Sequence, residues 1–209
     1  MVGLAGGEAD RGTARATVTE AYAPILAADP CPVIVTDLAT AELVKVSANA
    51  FLATKISFIN AVAEVCEAAG ADVTVLAEAI GMDPRTGGRF LGRGLGFGGG
   101  CLPKDIRAFM ARAGELGADE AMSFLREVDS INMRRREKMV DLTVQACGGA
   151  LIGRTVAVLG AAFKPHSDDV RDSPALNVAG MLSLKGAQAV VYDPRALANA
   201  RALFPTLTY

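Results

Sequence analysis

Residues 94–105 read GLGFGGGCLPKD, five glycines in seven residues running into a cysteine, and the rest of the chain is organised around them. Glycine loses more conformational freedom on folding than any other residue, so such a run implies backbone at positive φ or a close approach to another group. A helix starts where the glycines stop. Pro103 suits its first turn, Asp105 places negative charge there, and Ile106, Phe109, Met110 and Ala113 follow at helical spacing. Cys101 then sits in or just before that turn, where the helix dipole and Lys104 favour the thiolate, the nucleophilic form of cysteine. Spacing alone leaves a second reading open, a glycine loop for tight packing beside a buried, inert cysteine.

At 209 residues the chain holds one large domain or two small ones, and a composition half hydrophobic and a fifth charged is that of a globular protein with a real core. The formal charge of −2 gives no electrostatic footprint for nucleic acid. The only basic run, Arg134, Arg135 and Arg136, continues into Glu137 and Lys138 and reads as a solvated helix face. Cys31, Cys66, Cys101 and Cys147 lie far apart, without a CxxC pair and with a single histidine, so the expectation is neither a metal site nor a disulfide framework. No stretch reaches the roughly 18 uninterrupted apolar residues of a membrane span, and no basic-then-apolar leader opens the chain. These features predict a cytoplasmic protein with no membrane partner.

Toward the N-terminus, VGLAGG (2–7) is apolar, and Ala14, Val18, Ala21, Tyr22, Ile25 and Leu26 recur at helical intervals within residues 8–28. Pro24 should end or kink that helix. Pro30 and Pro32 bracket a turn before Val33, Ile34 and Val35, a short buried strand. No GxGxxG turn precedes residue 37, so no complete dinucleotide-binding unit is legible there. Asp37 or Thr40 can cap a helix over residues 41–69 that Gly70 ends. Leu43, Val44, Phe51, Ile56, Phe58, Ile59 and Val65 spread around much of it, more than one buried face requires, which points to a second subunit. Lys45 and Asn49 share a face, and by pattern alone are a solvated pair; Lys55 and Asn60 stay unassigned. A short helix over 73–80 leads to the turn Asp83-Pro84-Arg85, from which Arg85 projects, by itself a solvated arginine.

Helical segments at 106–113 and 121–147 complete the middle of the chain. Then TVAVL (155–159) reads as a buried strand, 160–172 as a loop, 174–185 as a helix capped by Ser173, and 189–192 as a second strand. This is a βαβ unit. Its first turn, GAAFKP, lacks the second and third glycines of the dinucleotide fingerprint, so it need not bind a pyrophosphate, and Asp193 reads as a strand-end cap.

GFGGGCLPKD (96–105) closely resembles the active-site segment of the UDP-glucose 6-dehydrogenase family. AELVKVSANAFLATKISFIN (41–60), DPRTGGRF (83–90) and VAVLGAAFKPHSDDVRDSP (156–174) are similar to that family's segments, in its order and at about its spacing. The resemblance implies an α/β fold with a helical centre: a long-helix dimerisation core followed by a partial Rossmann-like parallel α/β domain. Residues 1–36 would be the end of an NAD-binding domain, 37–150 the central dimerisation domain with the cysteine, and 151–209 the start of a UDP-sugar-binding domain. The expectation is therefore a fragment, inactive alone.

The implied reaction is NAD-dependent four-electron oxidation of UDP-glucose to UDP-glucuronate through a cysteine thiohemiacetal and thioester, in a homodimer formed through the long helix. By resemblance, Cys101 is the nucleophile, Lys45 supports charge on oxygen, and Asp105 positions or activates water. Asn49, Arg85, Phe90, Phe97, Gly98, Phe163 and Lys164 would contact substrate, Arg85 that of the neighbouring subunit, while Lys104 and Arg171 would contact NAD. Thr86 stands where the family is usually aliphatic and Gly92 where some members are basic, so the substrate assignment is weakest there. Two rival readings stay open: a dehydrogenase of another nucleotide sugar, GDP-mannose or UDP-N-acetylmannosamine, or a non-catalytic helical interaction module.

Overall fold

The computed structural model describes residues 2–4 and 8–209. The chain divides into two units, Met1–Ala48 and Asn49–Tyr209. In the first, strand β1 (Val2–Gly3) pairs in parallel with β2 (Val35–Thr36), and helix α1 (Glu8–Ala28) lies between them in the chain. Pro24 lies inside α1 and does not end it. The strand expected at 33–35 is displaced to Val35–Thr36, and Val33 and Ile34 are exposed rather than buried. With only two paired residues on each strand, this sheet covers little apolar surface.

Helix α2 (Leu38–Ala69) begins three residues before the expected start. The cause is Asp37, whose carboxylate accepts from Thr40 N at 2.8 Å and from the Thr40 hydroxyl at 2.8 Å. Those bonds hold the Asp37 carboxyl down at about 2. By length and composition α2 is long and apolar enough to cross a membrane, and 39% of its most apolar window is buried within the chain. The expectation drawn from uninterrupted apolar runs did not register it, because isolated polar residues interrupt the pattern. Val44, Phe51, Phe58 and Val65 recur every seven residues along α2 and are all exposed.

In the second unit α2 continues to Gly70, whose φ of 70° closes the helix. Helix α3 (Val73–Gly81) follows, capped by Asp72 accepting from Thr74 N at 2.7 Å. Helices α4 (Leu102–Glu115) and α5 (Phe124–Ala146) enclose a core of Ala50, Ala53, Phe97, Ile106, Leu125 and Val128. Strand β3 (Thr155–Leu159), helix α6 (Pro174–Leu184) and strand β4 (Gln188–Tyr192) form the expected βαβ unit, with Thr155 opposite Gln188 and Leu159 opposite Tyr192 in parallel register. Ser173 caps α6 as expected, its side chain accepting from Leu176 N. Helix α7 (Leu197–Leu203) and a parallel bridge from Val190 to Thr208 complete the chain.

β3 is not the buried strand its sequence suggests. Thr155, Ala157 and Leu159 are exposed, Leu159 at 80%. The strand is the edge of a two-stranded sheet and is covered on one face only, so alternate side chains point away from the core. Asp193 does cap the strand end, accepting from Ala161 N and Ala196 N at 2.8 Å each, from Arg195 N at 2.8 Å and from Ala162 N at 3.3 Å.

Candidate active site

The first turn of α4 sets the chemistry. Cys101 is its N-cap residue, yet its side chain makes no capping hydrogen bond and is exposed. Asp105 N donates to Cys101 O at 2.9 Å, which starts the helix and places the Asp105 side chain one turn beyond the thiol. Asp105 is buried and accepts from Asn49 Nδ2 at 2.5 Å and from the Lys104 ammonium. Lys104 is held protonated to higher pH, first by the hydrogen bond to Asp105, then by that carboxylate's charge, with a smaller contribution from the charge of Cys101. Asn49, Cys101, Lys104 and Asp105 thus form one cluster.

The glycine run before Cys101 is filled by the chain's own C-terminal half. A Cβ on Gly98 would lie 2.2 Å from Asp172 O, and one on Gly100 would lie 2.7 Å from the Arg171 guanidinium. The Phe163 ring occupies the space a Gly99 side chain would need, and Gly99 N donates to Arg171 O at 2.9 Å. Each of the two readings left open by the sequence is therefore half realised: the loop is packed tightly, and its cysteine is exposed. The same packing brings Phe163, Lys164 and Arg171 beside the loop. Lys164 Nζ stands 5.3 Å from the Phe163 ring centre, and Arg171 is held by Asp169 through bonds of 2.6 and 3.0 Å. Arg171 is kept protonated first by that hydrogen bond, with a smaller contribution from the charge of Cys101.

The other sequence-predicted residues each have their own surroundings. The Arg85 side chain is 90% exposed and pairs with Asp83, its neighbour in the turn. Phe90 is exposed at a φ of 67°. The Phe97 side chain is buried in the core between α4 and α5, so only its backbone faces the loop. Lys45 belongs to the first unit, where it is exposed. Among the described residues, no group of His, Cys, Asp and Glu could hold a metal ion.

The arginine triplet corrects the expectation of a solvated face. Arg134 is exposed, Arg135 is nearly buried with Nε donating to Gly94 O at 3.2 Å, and Arg136 is only 1% exposed. Arg136 donates to Phe97 O at 3.0 Å, to Asp172 Oδ1 at 2.9 Å and to Asn177 Oδ1 at 2.5 Å. Asn132, one turn earlier, accepts from Phe97 N at 2.6 Å and donates to Phe97 O at 3.0 Å. Asn60, unassigned from sequence, accepts from Gly94 N at 2.9 Å, and Lys55 donates to Thr86 O and Gly87 O at 2.9 Å each. A signal for Arg136 was present. Leu125, Val128, Asn132, Arg136 and Val140 recur at intervals of three and four and form the buried stripe of α5.

Residues 39–134 match the central domain of the UDP-glucose/GDP-mannose dehydrogenase family, and residues 157–209 match its UDP binding domain. The chain is 45% identical over 192 residues to UDP-glucose 6-dehydrogenase TuaD of Bacillus subtilis, an alignment covering 91% of this chain and 40% of that protein. A UDP-glucose dehydrogenase structure from Pyrobaculum islandicum superposes with a TM-score of 0.87 at 40% identity, over 95% of this chain and 44% of that one. A UDP-D-ManNAc dehydrogenase structure from Pyrococcus horikoshii gives 0.70 at 29% identity, over 79% and 39%. The chain spans less than half the length of these relatives.

Proposed function

Because the chain belongs to the UDP-glucose/GDP-mannose dehydrogenase family, we propose that it carries the nucleophile of a nucleotide-sugar dehydrogenase acting on UDP-glucose. One observation carries this reading: Cys101 is exposed at the N-terminus of α4, without a capping role, and Lys104 and Asp105 occupy the same turn. The greater identity to UDP-glucose dehydrogenases than to the UDP-D-ManNAc enzyme favours UDP-glucose over the other nucleotide sugars.

The reaction removes two hydrides and adds one water. The C6 alcohol loses a hydride and a proton to become an aldehyde. The Cys101 thiolate adds to the aldehyde carbon, and the oxygen takes a proton to give a thiohemiacetal. Loss of a second hydride and a proton leaves a thioester. Water, oriented by the Asp105 carboxylate, attacks the carbonyl carbon and expels the thiolate, releasing the acid. Asn49 holds Asp105 in place for that step. NAD, when bound, accepts the hydrides. Lys104 and Arg171 are exposed cations, one in the first turn of α4 and the other against Gly100, which suits contact with an anionic dinucleotide. Phe163 and Lys164 offer an apolar face and a cation to the nucleotide sugar. The roles of Lys45 in supporting charge on oxygen, and of Arg85, Phe90, Phe97 and Gly98 in substrate contact, rest on the sequence resemblance.

We assign 1–36, 37–150 and 151–209 to the NAD-binding, central and UDP-sugar-binding domains, with a homodimer formed through α2. Its free thiols fit the reducing cytoplasm. The test is single-turnover NADH yield from UDP-glucose in the complete enzyme with Cys101→Ser. The hydroxyl keeps the position but supplies very little alkoxide, so the first hydride is released and the second is largely lost. Near-normal release of both hydrides would remove Cys101 from the nucleophile's role.

A further inference from the structure

One buried guanidinium joins the nucleophile loop to the start of α6. Through Arg136 three separate segments meet: Phe97, four residues before the nucleophile, Asp172, next to Arg171, and Asn177 in α6. Asp172 takes a φ of 44°, a conformation that side chains seldom adopt, so the contact is maintained against local backbone preference. Arg136 Nε is buried and has no hydrogen-bond partner, although the group's two terminal nitrogens are used. Burying a charge costs desolvation that its ion pair need not repay, and an apolar side chain of similar volume is often at least as stabilising. A planar fork that reaches three acceptors does supply geometry, which a lysine's point charge supplies less well.

We propose that Arg136 is a positioning residue for the Cys101 thiol. It fixes the Gly94–Cys101 loop against the 163–172 segment, so that thiol and substrate meet at the required separation. The role rests on the reading of Cys101 as the nucleophile, and it is indirect, since the contacts of Arg136 lie on Phe97, Asp172 and Asn177.

The steps that use the thiol should depend on this contact more strongly than the first hydride transfer does. In the complete enzyme, at a temperature where circular dichroism shows Arg136→Met folded, the first hydride phase should stay within about threefold of the parent. The second should slow by about 30-fold or more, because misplacing a reacting group by an ångström costs on the order of 100-fold. KM for UDP-glucose should stay within about threefold, and Arg136→Lys should recover the second phase by about fivefold. Hydrogen exchange at the Phe97 and Gly99 amides should quicken in Arg136→Met. Asn177→Ala removes one acceptor at a helix position that alanine favours, and should slow the second phase about threefold. A merely structural arginine would lower the melting temperature and leave the ratio of the two phases unchanged, which would overturn the proposal. If Arg136→Met does not fold, an unchanged phase ratio in Asn177→Ala overturns it instead. Failure of the nucleophile reading is separable: Cys101→Ser would then keep both hydride phases, while the exchange measurement still reports whether Arg136 holds the loop.

Discussion

Replacing Gly98 by alanine tests whether the nucleophile loop is packed as described. The new Cβ would lie 2.2 Å from Asp172 O and 2.8 Å from Pro174 Cδ. A carbon and a carbonyl oxygen approach no closer than about 3.3 Å, so the backbones must separate by about 1 Å. Neither side yields easily. The carbonyl belongs to a residue already at a φ of 44°, and its side chain is anchored on Arg136. Overpacking costs about 1–3 kcal/mol, and with backbone on both sides the upper end applies, about 3 kcal/mol. For a unit of this size 1 kcal/mol moves the melting temperature by about 2–4 °C, so Gly98→Ala should melt about 6–12 °C lower. Gly92→Ala is the control. A Cβ there meets nothing within 4 Å and its φ is not in the left-handed region, so the loss of unfolded-chain freedom should raise stability by about 0.4–1 kcal/mol. Both are read by thermal melting and urea titration. A Gly98→Ala melting temperature within about 2 °C of the parent, or an equal loss in Gly92→Ala, would refute the packing argument.

Asp105→Asn should keep the thiol and impair attack by water, so that intact-protein mass spectrometry after UDP-glucose and NAD shows an acyl adduct on Cys101; no adduct during slowed turnover would count against Asp105 as the water-orienting group. Phe58→Asp should convert a dimer to a monomer in light scattering, because Phe51, Phe58 and Val65 present one exposed stripe of α2; an unchanged mass would place any interface elsewhere. Asp193 supplies the pH prediction. Burial of its carboxyl opposes ionisation, but the N–H groups of Ala161, Ala196, Arg195 and Ala162 outweigh it and hold the group at about 2. That value lies below the unfolded one, so the stabilisation is complete above about pH 4 and is lost as pH falls toward 2. Asp193→Asn should melt lower at neutral pH and lose less stability across that acid range; an unaltered acid dependence would contradict the assignment.

The elements were legible wherever hydrophobic spacing or a cap decides them. Gly70 closes α2 and Ser173 opens α6 as their residue types require. Strand burial was not legible, because the alternation in TVAVL matters only once the strand is known to lie at an edge. The cluster at Cys101 was partly legible, since its members Cys101, Lys104 and Asp105 fall within five residues. The support for the loop comes from residues distant in sequence, Asn60, Asn132, Arg136 and Asp172. Three adjacent arginines on a helix point about 100° apart, so they could never have formed a single face. The stripe of α5, taken with the triplet, would have singled out Arg136.

Two of the close approaches in the glycine run, at Gly98 and Gly100, differ in genetic terms. At Gly100 the obstacle is the Arg171 guanidinium, the far end of a flexible side chain, so a larger residue there can be tolerated after Arg171 shortens or swings aside. At Gly98 the nearest obstacle is a main-chain carbonyl, which no substitution at residue 172 removes. Shortening residue 171 should therefore restore the folding of a Gly100 variant, whereas no side-chain change at residue 172 should restore that of a Gly98 variant, for which selection should return mostly true revertants to glycine.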